Sequence, residues 1–190
     1  MIQRYRFSRE YGAIYEDDFW KKQYDGKHGY EILADNTVEE LKHIHAVYDL
    51  AKEQGDITDS SYEALEKRWK DENAERSKKV EKGEVIYGLK EYTFQLYLDY
   101  EISTLKEKYC NDTNREGMKL TEDEIQEHYQ SREWIFGDSD ENADLEMARI
   151  AVERELREQK YDDMITQRET DSQVAGNMEN VNRLTLKNIQ

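Results

Sequence analysis

The chain has 190 residues, of which 36% are hydrophobic and 38% charged, with a formal net charge of −16. That length supports one domain, or a lobed pair, around a modest core, and the charge density assigns much of the chain to solvated helix surface. The acidic balance excludes nucleic acid as a partner, since phosphate contacts need clustered Lys and Arg, and it opposes an anionic membrane surface. No apolar run reaches the ~18 residues of a membrane span, and Met1-Ile2-Gln3-Arg4-Tyr5-Arg6 lacks an apolar signal core. A membrane link is therefore expected only through a signal or lipid anchor not present in this chain. Proline is absent, where average usage of ~5% predicts roughly nine or ten, which favours long uninterrupted helices. The single Cys110 forms no internal disulfide and leaves the redox compartment open.

Residues 2–7 alternate weakly and read as a short strand, while 15–24 carry Phe19, Trp20 and Tyr24 at helical spacing before Gly26 and Gly29. Thr37 and Glu40 spell a capping box, from which Val38, Leu41, Ile44, Tyr48 and Ala51 form a helical stripe that stops at Gly55. Ser60 and Glu63 mark the next start, with Tyr62, Leu65 and Trp69 along one face and a polar tail over 71–82 projecting into solvent. After Val85-Ile86-Tyr87-Gly88, the spacing of Phe94, Tyr97, Leu98, Ile102, Leu105 and Tyr109 predicts an aromatic helix over 91–109, closed by a loop at 111–117. Thr121 and Glu124 are a second capping box, with Ile125 and Tyr129 one turn apart. An acidic linker over 137–144 precedes a helix over 143–170 bearing Leu145, Ala148, Val152, Leu156, Tyr161, Met164 and Ile165. In the tail, 173–175 read as a strand, while Val181, Leu184, Thr185, Asn188 and Ile189 suit a final helical turn or two.

Sites of familiar chemistry are weak. Asp138-Ser139-Asp140-Glu141-Asn142 places oxygens as an EF-hand does, but Ala143 stands where Gly makes the turn and Arg149 where a bidentate Glu belongs. His43 and His45 point apart on a helix, and His128 with Glu124, or Cys110 with no neighbouring His, makes no convincing dyad. No cofactor and no metal are expected.

The fourteen tyrosines offer broad contact area with a wet hydroxyl, so they serve either a core poor in Leu and Val or a binding cradle. Tyr48, Tyr62 and Tyr129 read as core. Trp20, Tyr24, Trp69, Tyr92, Tyr97 and Tyr100 are the candidate polypeptide-binding residues, with core and cradle evenly matched for Tyr97 and Tyr100.

Three stretches resemble the chaperone module of SurA- and PrsA-type parvulin foldases: Val38-Glu39-Glu40-Leu41 through Tyr48 to Asp59, then Leu120-Thr121-Glu122-Asp123-Glu124-Ile125 through Tyr129 and Trp134-Ile135-Phe136, and last Arg149-Ile150 through Leu156 and Tyr161. Each motif amounts to caps plus apolar spacing, and their order carries the likeness. The resemblance implies an all-α fold in one helical chaperone-like domain: an N-terminal part over 1–136, the linker 137–144 in place of an isomerase domain, and a C-terminal helix and tail over 145–190. The long last helix packs back on the earlier ones, and a short strand pair joins the termini. It further implies an extracytoplasmic, non-catalytic chaperone or holdase for unfolded or partly folded secreted polypeptides. The alternatives are an adaptor or scaffold holding one specific protein partner, with a homodimer compatible with it, and a residual prolyl isomerase, which the missing catalytic domain disfavours.

Overall fold

The computed structural model describes residues 2–12, 18–137, 141–172 and 176–189, with side chains from residue 7 onward in the first stretch. It is helical throughout except for one small hairpin, in agreement with the all-α expectation, and it divides into two compact units, one of 1–43 with 172–190 and one of 44–171.

In the first unit, helix α1 covers Ile2–Tyr11, so residues 2–7 are not a strand. Phe7 and Tyr11 stand one turn apart with ring centroids 4.6 Å from each other, and Phe7 packs edge-on to Phe19, Trp20 and Tyr24. Four such aromatic contacts outweigh an alternation over six residues. Phe19–Lys21 makes a single 3₁₀ turn, and strand β1, Gln23–Tyr24, then pairs antiparallel with β2, Lys27–His28. The helix expected over 15–24 is thus not continuous, although 13–17 lie outside the described residues. Asp25 and Gly26 turn the hairpin with φ of 49° and 84°, the two left-handed positions that a tight hairpin demands. The strand pair sits here rather than between the termini.

Helix α2 runs Gly29–Glu53 and so begins eight residues before Thr37. Gly29 is dictated by packing, because a Cβ there would lie 3.2 Å from the Trp20 carbonyl and 3.3 Å from the Tyr24 ring. Glu31 caps the start by accepting from the His28 N–H at 2.8 Å. Helix α7, Met178–Asn188, opens on Asn177, whose side chain accepts from the Glu179 N–H. Met178, Val181, Asn182, Thr185, Leu186 and Ile189 are half-buried at helical spacing, a longer amphipathic face than a turn or two. The strand read over 173–175 lies outside the described residues.

The second unit holds the rest of α2 with α3 (Tyr62–Glu81), α4 (Phe94–Asn111), α5 (Glu122–Gln130) and α6 (Leu145–Asp171). Helix α6 packs on α4 and α5, and α3 packs on α4. The main core gathers Val47, Tyr48, Leu65, Tyr97, Leu98, Leu105, Tyr109, Met118, Tyr161 and Ile165, and a smaller one joins Ile125 and Trp134 to Ala148 and Val152. Each fully buried apolar side chain contributes about 1.5–3 kcal/mol, so the two clusters dominate the stability of this unit. Ser61, one residue beyond the expected cap, and Thr93 cap α3 and α4. Both halves of the Thr121–Glu124 capping box are formed.

Candidate partner-binding surface

The α3–α4 face is organised around one buried carboxylate. Glu101 accepts from the Tyr48 hydroxyl at 2.6 Å, the Tyr97 hydroxyl at 2.8 Å and the Arg68 guanidinium at 2.7 and 3.1 Å. Burial first, and the carboxylate second, push both phenols well above their ordinary value. Burial works against the Arg68 charge, but the Glu101 contacts prevail and raise it. This is a fully satisfied polar core, and it fixes which side of α4 faces inward.

Outside that core, α3 holds the segment leading into α4. Asn73 accepts from the Tyr92 N–H and donates to the Tyr92 carbonyl, both at 2.9 Å, and Trp69 Nε1 donates to the same carbonyl at 2.8 Å. Arg76 donates to the Tyr87 and Leu89 carbonyls and to the Tyr92 hydroxyl, with its guanidinium 4.5 Å from the Tyr92 ring centroid. The tail of α3 is therefore a clamp as well as a solvated surface. Tyr92 in turn stacks on Tyr100 at 5.2 Å and 16°. Around this stack Leu89, Leu96 and Tyr100 are exposed, and Val85 and Tyr87 are 79% and 88% exposed.

Of the candidate polypeptide-binding residues, Trp69, Tyr92, Tyr97 and Tyr100 thus meet in the second unit. Tyr97 is interior, Trp69 and Tyr92 are half-buried, and Tyr100 is 42% exposed. Trp20 and Tyr24 belong to the first unit. Trp20 is buried among Phe7 and Phe19, and the Tyr24 hydroxyl donates to the Phe19 carbonyl at 3.0 Å, so both rings have structural partners. Among the tyrosines read as core, Tyr48 is buried and Tyr129 half-buried, but Tyr62 is 61% exposed. It is the first residue of α3, where the helix has only begun to turn toward Phe94.

A second apolar surface was not foreseen from the sequence. Phe136, Met147, Ile150, Ala151 and Arg154 line a shallow groove of about 350 Å³. Met147 is 73% and Ile150 85% exposed. Met147 and Ile150 stand off the inward line of Ala148 and Val152, and the stripe read over 143–170 left them unassigned.

Other reactive groups are tied up structurally. Cys110 is buried, with its thiol pushed up to about 11 by desolvation. His128 Nε2 lies 3.3 Å from Glu155, and its ring packs edge-on to Trp134. Among the described residues no group of three His, Cys, Asp or Glu side chains is placed to hold a metal, and no helix is long and apolar enough to cross a membrane. Of the EF-hand-like spacing, 138–140 lie outside the described residues, while the Asn142 side chain accepts from the Trp134 N–H and Arg149 pairs with Glu122.

The chain matches no protein-family model. It is 30% identical over 165 residues to a chaperone for lacto-N-biosidase from Bifidobacterium longum subsp. longum, an alignment covering 87% of this chain and 59% of the relative. Its fold is similar to part of a GH136 lacto-N-biosidase from Eubacterium ramulus, solved in native and selenomethionine forms. The TM-score is 0.56 at 19% identity, over 77% of this chain and 29% of the enzyme chain. This chain therefore spans less than two thirds of each of these proteins, and the structural likeness speaks for the fold alone. Both names bear on a lacto-N-biosidase and neither comparison shows the SurA or PrsA family, so the parvulin likeness stays one of caps and apolar spacing.

Proposed function

We propose that this chain is a partner-specific, non-catalytic chaperone that assists one glycoside hydrolase of the lacto-N-biosidase type. The observation that carries the reading is the 30% identity, over nearly the whole chain, to a protein named as a chaperone for that enzyme. Two further observations support it. A fold of this kind occurs inside a lacto-N-biosidase chain, and most of the exposed large apolar side chains belong to the second unit, among them Val85, Tyr87 and Leu89 before α4 and Phe136, Met147 and Ile150 at the groove. This reading takes the adaptor alternative over a general holdase, since a relative dedicated to one enzyme argues for a dedicated partner. The extracytoplasmic setting rests on the foldase resemblance, and fractionation of cells carrying the complete gene tests it.

The deciding experiment produces the Bifidobacterium longum lacto-N-biosidase with and without this chain and measures soluble, active enzyme. The expected result is a many-fold rise with the chain present, no suppression of aggregation for an unrelated unfolded protein, and only the uncatalysed rate on a proline peptide. Equal enzyme yield in both arms would overturn the reading.

A further inference from the structure

The excess negative charge of the chain is concentrated beside its apolar groove. The first unit holds ten Asp and Glu against nine Lys and Arg, and the second holds 34 against 19, so nearly all of the −16 belongs to the second. Within it, residues 122–146 carry ten acidic side chains and a single basic one, Arg132. Phe136 of the groove lies inside that stretch, and Met147, Ile150 and Ala151 follow directly along α6. Residues three and four apart share a helix face, so Met147, Ile150, Ala151 and Arg154 form one outward strip, with Glu146 a turn from Ile150 at its edge. The cations here are already matched: Arg154 lies 3.5 Å from Glu158, Arg149 pairs with Glu122 and Glu153, and Arg132 with Glu155. The acids are not. Among the described residues Glu133, Asp144 and Glu146 are exposed and have no cation partner.

We propose that this groove docks a segment of the partner polypeptide that is apolar on one side and bears Lys or Arg on the other; this rests on the partner-specific reading above and names the chemistry the partner presents. Charge complementarity selects that occupant. An uncharged apolar segment covers Met147 and Ile150 but leaves the carboxylates uncompensated, and an acidic one is repelled by them. A second copy of this chain is a poorer occupant, because it brings another net charge of −16 to the same contact. The other exposed apolar stretch, at Val85, Tyr87 and Leu89, lacks this field, since 78–91 around it hold four Lys against three Glu. The acidic stretch also draws a basic segment in from a distance, which makes encounter with the groove faster at low salt.

The test offers the full chain two designed amphipathic peptides with the same leucines, one bearing lysines on its polar face and the other glutamates. By fluorescence anisotropy the lysine peptide should bind about tenfold tighter, and its affinity should fall several-fold between about 20 and about 200 mM salt. With methyl-labelled methionine, the Met147 signal should shift on binding while that of buried Met118 stays in place. Met147→Ser with Ile150→Ser, both at exposed positions, should weaken binding about tenfold without lowering the melting temperature. Glu133→Lys with Glu146→Lys should remove most of the preference for the lysine peptide. Equal binding of the two peptides, or lysine-peptide binding indifferent to the serine pair, overturns the proposal. A dimer of the chain alone that shifts the Met147 signal overturns it in favour of a second copy. In co-production with the Bifidobacterium longum lacto-N-biosidase, the serine pair should yield less active enzyme than wild type. An equal rise with both chains overturns the groove as the docking site and leaves the chaperone reading standing. No rise with the wild-type chain removes the partner reading, and the occupant named here with it.

Discussion

Glu101 and Tyr48 meet across 53 positions of sequence through a 2.6 Å hydrogen bond in the interior of the second unit. Because Arg68 and Tyr97 share the same carboxylate, removing it strands one cation and two phenols together. Glu101→Leu should lower stability in urea unfolding by about 3–5 kcal/mol, the range for breaking a buried pair from one side. Glu101→Gln keeps an acceptor and should cost roughly 1–3 kcal/mol. The double variant Arg68→Met with Glu101→Leu should recover part of the loss. A Glu101→Leu protein as stable as wild type would show that the network contributes nothing net.

Asp56 gives a pH dependence of known sign. Its carboxylate, 4% exposed, is held by Arg115 at 2.6 and 2.8 Å and by Lys108 at 2.7 Å. The Arg115 hydrogen bonds, outweighing burial, lower it below its ordinary 3.8. A carboxylate depressed on folding contributes stability that is complete above the unfolded value and is lost as pH falls through the folded one. The urea midpoint should therefore hold steady near neutrality and drop below about pH 4, the unfolded value. Asp56→Asn should start lower at neutral pH and fall less steeply in acid. Parallel curves for the two proteins would remove Asp56 from the account.

The clamp on the α3–α4 segment predicts a local effect without a global one. Arg76→Ala combined with Asn73→Ala frees the carbonyls of Tyr87 and Leu89 and leaves that of Tyr92 to Trp69 alone, with the cores intact. Trypsin cleavage at Lys82 and Lys90 should quicken about tenfold, with a melting temperature lower by only a few degrees. Unchanged cleavage would mean that something other than these two side chains restrains the segment.

Cys110 should be inert. Its thiol is 5% exposed and raised to about 11 by burial, so at pH 8 it is protonated and shielded. A colorimetric disulfide reagent should find almost no thiol in the native protein and one equivalent after urea. Rapid modification of the native chain would place the thiol at the surface.

Where the determinants are local, the sequence is a good guide. Thr121 and Glu124 specify a helix start because an irregular loop, 112–120, precedes them and leaves the first N–H groups without partners. Thr37 and Glu40 spell the same motif, yet they lie inside α2. There the upstream carbonyls already exist, and the Thr37 hydroxyl donates back to Leu33 at 2.8 Å. The stripe of α4 is legible because period 3.6 decides it, and Tyr97, Leu98, Leu105 and Tyr109 are indeed interior. The candidate surface is less so. Whether Tyr97 or Tyr100 is the exposed ring depends on Glu101 receiving Arg68 from α3, and the presentation of Val85 and Tyr87 depends on Arg76. Those are pairings at separations that periodicity does not see.

The last helix of the second unit decides when that unit can exist at all. Tyr161 and Ile165 of α6 complete a core that begins at Ala46, and Arg168 closes on Glu53 across 115 positions, with contacts at 3.1 and 2.7 Å. During synthesis the earlier helices emerge with their apolar faces uncovered, and long-range closure waits until α6 has left the ribosome. The chain proposed above to attend another protein's folding therefore passes, late in its own translation, through an interval in which it is itself exposed.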